Sequence, residues 1–135
     1  MLARILVAFG AALLGLLGTI HIICTFFTNK LEPRDPATIA AMKATSLVLS
    51  GSTNLWNAWI GLNAFLGLFL LLFASTYLLL AVGHMSLLRD SPPLAWLPVA
   101  GGAAYLAIAL RFGGPLIGFA IATACFLAAA LRLSF

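Results

Sequence analysis

The charged side chains of this chain are confined to the borders of four long uncharged stretches. Seven basic and three acidic residues leave residues 5–29, 44–88, 91–110 and 112–131 without a Lys, Arg, Asp or Glu. An α-helix rises about 1.5 Å per residue, so roughly 20 apolar residues cross a hydrocarbon core of ~30 Å. The pattern therefore predicts four membrane-spanning helices.

The composition indicates the same class of protein. Of the 135 residues, 64% are hydrophobic and 7% are charged, whereas soluble domains carry roughly 25% charged residues. We therefore predict an all-α membrane protein, a bundle of four transmembrane helices that forms a single integral membrane domain over residues 1–135. Membrane lipids are its expected partners. A nucleic-acid partner is not expected, because no Lys and Arg cluster on one solvated face.

The four spans are predicted at residues 5–28, 55–82, 94–110 and 115–131. A short interfacial helix is expected between spans 1 and 2, at about residues 36–49, because Asp35 can cap it and Pro36 suits its first position. This segment is too short and too polar to cross the membrane. Residues 84–93 are expected to form a loop. Three basic residues on one side and four on the other leave the orientation undecided.

Each span carries a polar residue at a similar depth below one membrane border. The helical rise gives depths of about 12 Å for His21, 13 Å for Asn63, 9 Å for Tyr105 and 12 Å for Thr123. Polar groups in hydrocarbon are unfavourable unless they are paired, and they often mark functional sites. A neutral His21 can donate from one ring nitrogen and accept at the other. We predict a ligand-binding site formed by His21, Thr25, Asn57, Asn63, Tyr105 and Thr123.

Helical periodicity sorts these residues onto faces. On span 1, one face carries Gly18, His21, Thr25 and Thr28. On span 2, one face carries Asn54, Asn57 and Gly61, and another carries Trp56, Trp59, Asn63 and Gly67. At least one of the two faces of span 2 is expected to point inward. The alternative for each residue is structural: the amides of the first face are interfacial, the tryptophans belong to an aromatic belt, and His21 is a packing residue.

No metal or cofactor is predicted. His21 and His84 lie near opposite borders, roughly 30 Å apart along the helical rise, which is too far for a shared haem. Cys24 and Cys125 are isolated and form no C-x-x-C pair. No Asp or Glu lies within a span, which argues against catalysis by paired carboxylates and against a carboxylate-based proton carrier.

Several short segments resemble a family of small bacterial four-helix membrane proteins without an assigned function. The resemblance covers about the first half of the chain. It rests on residues 18–21 (GTIH), 25–27 (TFF), 33–36 (PRDP), Met42 and 56–63 (WNAWIGLN). It implies the four-helix architecture and a location in the bacterial inner membrane, and it draws attention to His21 and Asn63. This chain has Ala64-Phe65-Leu66 where the family carries a further polar, His-containing segment, which argues against a paired-His metal site.

Three functional hypotheses remain open at this stage. The first is a membrane-embedded site that binds a lipid or a small amphipathic molecule around His21 and Asn63. The second is a non-catalytic scaffold or accessory subunit of a membrane complex. The third is a lipid-modifying enzyme in which His21 acts as acid or base, so enzymatic activity is not decided. A small-residue face on span 4, formed by Gly114, Gly118 and Ala122, fits either packing within the chain or a homo-oligomer.

Overall fold

The computed structural model describes residues 1–134 and is helical throughout that range apart from connecting loops and one isolated bridge between Ser46 and Asn54. The helices, in chain order, are α1 (Leu2–Phe27), α2 (Pro36–Ala44), α3 (Leu55–Gly83), α4 (Met85–Asp90), α5 (Pro92–Phe112) and α6 (Leu116–Ser134). Four of them, α1, α3, α5 and α6, are long and apolar enough to cross a membrane. The predicted fold class is therefore confirmed.

Each end of the long helices lies within three residues of the predicted span, and most ends extend beyond it. α1 begins three residues before residue 5, and α5 begins two residues before residue 94. The last turns of α5 and α6 contain Arg111 and Arg132, which the prediction had placed at or beyond the helix ends. Arginine tolerates such positions because its aliphatic stem can lie along apolar surface while the guanidinium reaches the interface. A charged residue therefore does not mark the end of these helices.

The interfacial helix begins where the sequence predicts. The Asp35 carboxylate accepts hydrogen bonds from the backbone N–H groups of Ala37 and Thr38, at 3.0 and 3.2 Å, and from the Thr38 hydroxyl at 2.9 Å. The Thr38 hydroxyl, followed by the Ala37 N–H, lowers the pKa of the Asp35 carboxyl group because both stabilise its charged form. This N-cap fixes the start of α2 at Pro36.

The predicted end of this helix at residue 49 is wrong, because α2 stops at Ala44. Thr45 adopts an extended conformation, and its carbonyl accepts a hydrogen bond from the Leu55 N–H at 2.9 Å. Together with the bridge between Ser46 and Asn54, this bond closes residues 45–55 into a compact loop. Ser and Thr are poor helix formers, and here the loop supplies the backbone partners that a longer helix would have supplied.

The loop predicted at residues 84–93 contains a helix that the sequence analysis missed. α4 forms one and a half turns over residues 85–90, and Ser91 both ends it and begins α5. Pro92 stands at the first position of α5, where a missing N–H is tolerated. The break between α4 and α5 at Ser91 thus follows from Pro92 and Pro93. The segment before it is short enough to be mistaken for a loop.

The chain divides into two compact units, which we describe separately. Unit 1 comprises residues 1–17 together with the chain from residue 70 onward, and unit 2 comprises residues 18–69. The helices α1 and α3 each contribute to both units. The expectation of a single domain over the whole chain stays a prediction.

Unit 1 has a core of aliphatic, aromatic and alanine side chains, among which Leu14, Tyr77 and Phe126 are almost completely buried. Of the predicted small-residue face, Gly118 and Ala122 lie on α6 and pack inside this unit, whereas Gly114 precedes the helix. A Cβ atom placed on Gly118 would lie 2.9 Å from Cδ1 of Leu17, and Ala122 is fully buried. Two of the three residues of the predicted small-residue face therefore serve packing within the chain.

A hydrogen bond from α3 compensates for a proline inside α5. Pro98 lies in the second turn of α5 and has no N–H, so it cannot donate to the carbonyl of Leu94, four residues earlier. The hydroxyl of Tyr77 donates to that carbonyl at 2.9 Å. An unpaired carbonyl is unfavourable inside a membrane. Tyr77 thus satisfies the backbone group that Pro98 leaves without its helical partner.

Candidate functional site

A hydrogen bond between two side chains of unit 2 joins α1 to α3. Nε2 of His21 lies 3.2 Å from Oδ1 of Asn63, although the two residues are 42 positions apart in the sequence. Both side chains are half-buried. The sequence analysis had placed them at nearly equal depth, and the structure brings them into hydrogen-bond contact.

The amide of Asn63 fixes the roles of the atoms in this contact. Nδ2 of Asn63 donates to the carbonyl of Trp59 at 2.9 Å, and a carbonyl can only accept. The amide oxygen of Asn63 therefore faces the imidazole, and Nε2 of His21 must carry the hydrogen. In a neutral ring, Nδ1 then holds a lone pair and can accept a hydrogen bond from another molecule.

A glycine allows the two helices to come this close. A Cβ atom built on Gly67, one turn beyond Asn63, would lie 2.7 Å from Cγ1 of Ile22 and 3.3 Å from the carbonyl oxygen of Gly18. Trp59, Asn63 and Gly67 repeat at every fourth position, so they share one face of α3. This face, which the sequence analysis had proposed as one of two, contacts α1.

Trp59 has a role that the sequence analysis missed. Its indole N–H donates to the carbonyl of Leu31 at 3.0 Å and so ties the beginning of α3 to the loop between α1 and α2. The sequence had suggested a belt position for this tryptophan, or a place on an inward face of span 2, but no partner for its indole. The available signal was the indole N–H itself, which usually finds a partner when it is partly buried.

The hydroxyl groups near the pair are engaged with their own helix. Thr25, which is buried, donates to the carbonyl of His21 at 2.8 Å, and Thr28 donates to the carbonyl of Cys24 at 3.1 Å. These i to i−4 bonds satisfy a hydroxyl locally. Thr25 therefore lies next to the pair, but its proton points to the backbone and not to the imidazole.

Asn57 lies apart from the pair at the beginning of α3. Its exposed side chain is about 9 Å along the helix axis from Asn63 and on a different face. Its backbone N–H donates to Oδ1 of Asn54 at 2.8 Å, so Asn54 caps the first turn of α3. Next to it, the ammonium of Lys43 lies 5.2 Å from the centre of the Trp56 ring, in a cation–π contact between α2 and α3.

The other two predicted site residues belong to unit 1. The ring of Tyr105 stacks on Phe119 at a centroid distance of 5.2 Å. The hydroxyl of Thr123 donates to the carbonyl of Phe119 at 2.7 Å, and its side chain lies against Gly102 of α5. The expectation that polar groups of all four spans form one layer involves both units and stays a prediction.

Residues 1–134 contain no group of three or more His, Cys, Asp or Glu side chains that could hold a metal ion. Cys24 and Cys125 are free, half-buried thiols. The pair of His21 and Asn63 offers groups for hydrogen bonding: an acceptor on the imidazole, the remaining amide N–H and an oxygen lone pair.

The close approach at Gly67 allows a direct test of how the pair is positioned. We expect Gly67→Ala to lower the free energy of unfolding by about 1 kcal/mol, because overpacking costs about 1–3 kcal/mol and the gain in helix propensity returns part of it. The measurement is equilibrium unfolding in mixed micelles of dodecylmaltoside and sodium dodecyl sulfate, followed by tryptophan fluorescence.

Gly61 provides the matched control in the same helix. A Cβ atom on Gly61 meets nothing within 4 Å, so Gly61→Ala is expected to leave stability unchanged or to raise it slightly. Combining Gly67→Ala with Ile22→Ala removes the clashing atoms and should recover part of the loss. Equal effects of the two glycine substitutions would contradict the close approach of α1 and α3.

Four long apolar helices define a multi-pass integral membrane protein. Comparison with protein-family models, with curated proteins and with solved structures finds no match to this chain. The family resemblance noted from the sequence therefore stays a prediction.

Proposed function

We propose that the protein binds a lipid or a small amphipathic molecule in the membrane, with His21 and Asn63 as hydrogen-bonding anchors. The observation that carries the proposal is the hydrogen bond of 3.2 Å between the two half-buried side chains. It orients the imidazole so that Nδ1 can accept from a ligand hydroxyl or amide. It also aligns Asn63, whose amide keeps one N–H for the same ligand.

Exposed apolar surface beside the pair suits the apolar part of such a ligand. Trp59 and Leu66 lie four residues before and three residues after Asn63, so they flank it on α3, and each is more than one third exposed. On α1, Ile20 is about half exposed next to His21. Ligand sites combine such apolar surface with a few placed polar groups.

We also propose that the ligand enters from the side of the loop between α1 and α2. The support is the hydrogen bond between the Trp59 indole and the Leu31 carbonyl, which sets that loop over the beginning of α3. The bacterial inner membrane is the proposed location, and this part of the proposal rests on the family resemblance of the sequence alone.

The scaffold hypothesis remains the second candidate, because one observation favours it. The atoms around Gly67 are packed as closely as in a structural helix contact, and interhelical hydrogen bonds in membranes stabilise helix pairs by about 0.6 kcal/mol on average. In this interpretation, the pair of His21 and Asn63 only holds α1 to α3. The enzyme hypothesis gains no support from Thr25, because its hydroxyl donates to the backbone.

Native mass spectrometry of the gently extracted protein separates the two candidates. We expect a reproducible non-protein mass on the wild-type chain. His21→Ala and Asn63→Ala should each lower its occupancy about tenfold, since each leaves a ligand group without its partner. The exposed His84, in the connection between α3 and α4, supplies the matched control: His84→Ala should keep the adduct.

Two results would decide against a ligand site at His21 and Asn63. One is an adduct that persists unchanged in both site variants. The other is a clean protein mass for the wild type combined with lower stability of His21→Ala in micelle unfolding, which would establish the pair as a structural contact. A co-purifying polypeptide in the same spectrum would support the scaffold and would identify its partner by mass.

A further inference from the structure

Three arginines of unit 1 meet around open cavities at one end of its helices. One cavity, of about 420 Å³, is lined by Met1, Leu2, Ala3, Arg89, Arg132 and Leu133. An adjoining cavity of about 310 Å³ shares four of these residues and adds Arg4 and Met85. The arginines come from the first turn of α1 and from the last turns of α4 and α6.

The charge around these cavities is not balanced within unit 1. Asp90 is the one acidic residue of that part of the sequence, and it lines neither cavity. Like charges brought to one region repel each other unless an anion lies between them. Arg89 lines both cavities, Arg132 lines the first and Arg4 the second, so a negative charge would be favourable in this region.

The three arginines differ in their interaction with the helix dipole. Arg89 and Arg132 stand at helix C-termini, where a cation interacts favourably with the helix dipole. Arg4 stands at the N-terminal end of α1, where the dipole disfavours a cation. The N–H groups of this first turn also have no helical acceptor. Guanidinium groups are well suited to bind phosphate oxygens, because each can donate two parallel hydrogen bonds.

From these observations we propose that this end of unit 1 binds the phosphate of an anionic phospholipid headgroup. The site lies at the end of apolar spans, where headgroups are located, and Leu2 and Leu133 in its wall offer apolar surface to the start of the acyl chains. A zwitterionic headgroup brings its own cation next to the arginines and binds less well. This site is independent of the proposed site at His21, which belongs to unit 2.

The test is a lipid titration of the purified full chain, read by native mass spectrometry. Phosphatidylglycerol and phosphatidylcholine with identical acyl chains are compared. We expect Arg89→Gln and Arg132→Gln each to weaken phosphatidylglycerol binding about fivefold, the effect of one basic residue near an anionic surface. The double variant should lose more than tenfold, and phosphatidylcholine binding should not change.

Arg111→Gln is the matched control in the same unit. It removes the same charge, but Arg111 lines neither cavity and lies over the Phe112 ring instead. Arg89→Lys keeps the charge and loses the bidentate geometry, so it should show an intermediate loss with an intact fold. His21→Ala should leave phosphatidylglycerol binding unchanged, which separates this test from that of the proposed function.

Two results would overturn the proposal. The first is equal binding of the two lipids, or equal losses in Arg89→Gln and Arg111→Gln, which would mean that the arginines act only as general interfacial charge. The second is displacement of phosphatidylglycerol by millimolar inorganic phosphate with full recovery of the unliganded mass. That result would assign the cavities to a free phosphate ion and not to a headgroup.

Discussion

Tyr77→Ala is expected to lower the free energy of unfolding by about 2–3 kcal/mol. Tyr77 is 2% exposed, and its ring lies 4.9 Å from that of Phe73 and 5.9 Å from that of Phe126 between centroids. Lipid tails are as apolar as the core, so the transfer of the ring between them contributes little. The loss of stability comes from the cavity that the missing ring leaves and from the Leu94 carbonyl, which loses its hydrogen-bond donor.

Tyr77→Phe isolates the hydrogen bond from the packing. We expect it to cost about 1 kcal/mol, because the half-buried Leu94 carbonyl is left without this donor. A sharper test is whether the cost of Tyr77→Phe depends on the presence of Pro98. In a Pro98→Ala background the backbone N–H returns, so Tyr77→Phe should cost less than half as much. The measurement is equilibrium unfolding in mixed micelles; the same loss in both backgrounds would show that the hydroxyl does not compensate for Pro98.

Gly102→Ala is the second substitution with a large expected effect. Gly102 is buried, and a Cβ atom there would collide with Oγ1 of Thr123 and lie 3.2 Å from its Cβ. The Thr123 side chain cannot turn away easily, since it is β-branched and its hydroxyl donates to the Phe119 carbonyl at 2.7 Å. We expect a loss of about 1–3 kcal/mol, net of the gain in helix propensity.

The partner residue supplies the control for this prediction. Thr123→Ala removes the colliding oxygen, so the double variant should regain most of the stability lost in Gly102→Ala. Gly101→Ala is the matched single variant: its nearest neighbour is the ring of Phe73 at 3.5 Å, an ordinary contact. If Gly101→Ala and Gly102→Ala were equally destabilising, α5 and α6 would not be packed as described. Thermal unfolding in detergent, followed by circular dichroism, makes the comparison.

Much of the fold follows from the distribution of charge. Uncharged stretches of about 20 residues cannot be solvated, so the four long helices could be located from the sequence to within a few residues. Two details of the fold could not be predicted from the sequence: the end of α2 and the presence of α4. The end of α2 at Ala44 depends on hydrogen bonds between Thr45 and Leu55, ten residues apart. α4 is one and a half turns long, and helices of that length leave too weak a periodic signal.

The candidate site was predictable only in part, for a similar reason. Depth along a helix follows from residue spacing, so His21 and Asn63 could be assigned to one level. Their contact depends on how closely α1 approaches α3, which is set by Gly67 and Ile22. The partner of the Trp59 indole, the carbonyl of Leu31, depends on the path of a loop. Distances between helices and loop paths are tertiary properties that a single sequence does not encode in its periodicity.

The bond from Tyr77 to Leu94 has a consequence for the order in which the chain assembles during synthesis. A span inserted alone should have its backbone hydrogen bonds complete, but α5 carries the Leu94 carbonyl, which accepts neither from Pro98 nor, before α3 is in place, from Tyr77. Because α3 precedes α5 in the chain, its tyrosine is already in the bilayer when α5 arrives from the ribosome. We expect α5 to insert less efficiently in a chain that lacks α3, and the Tyr77 hydroxyl to act as an internal insertion aid.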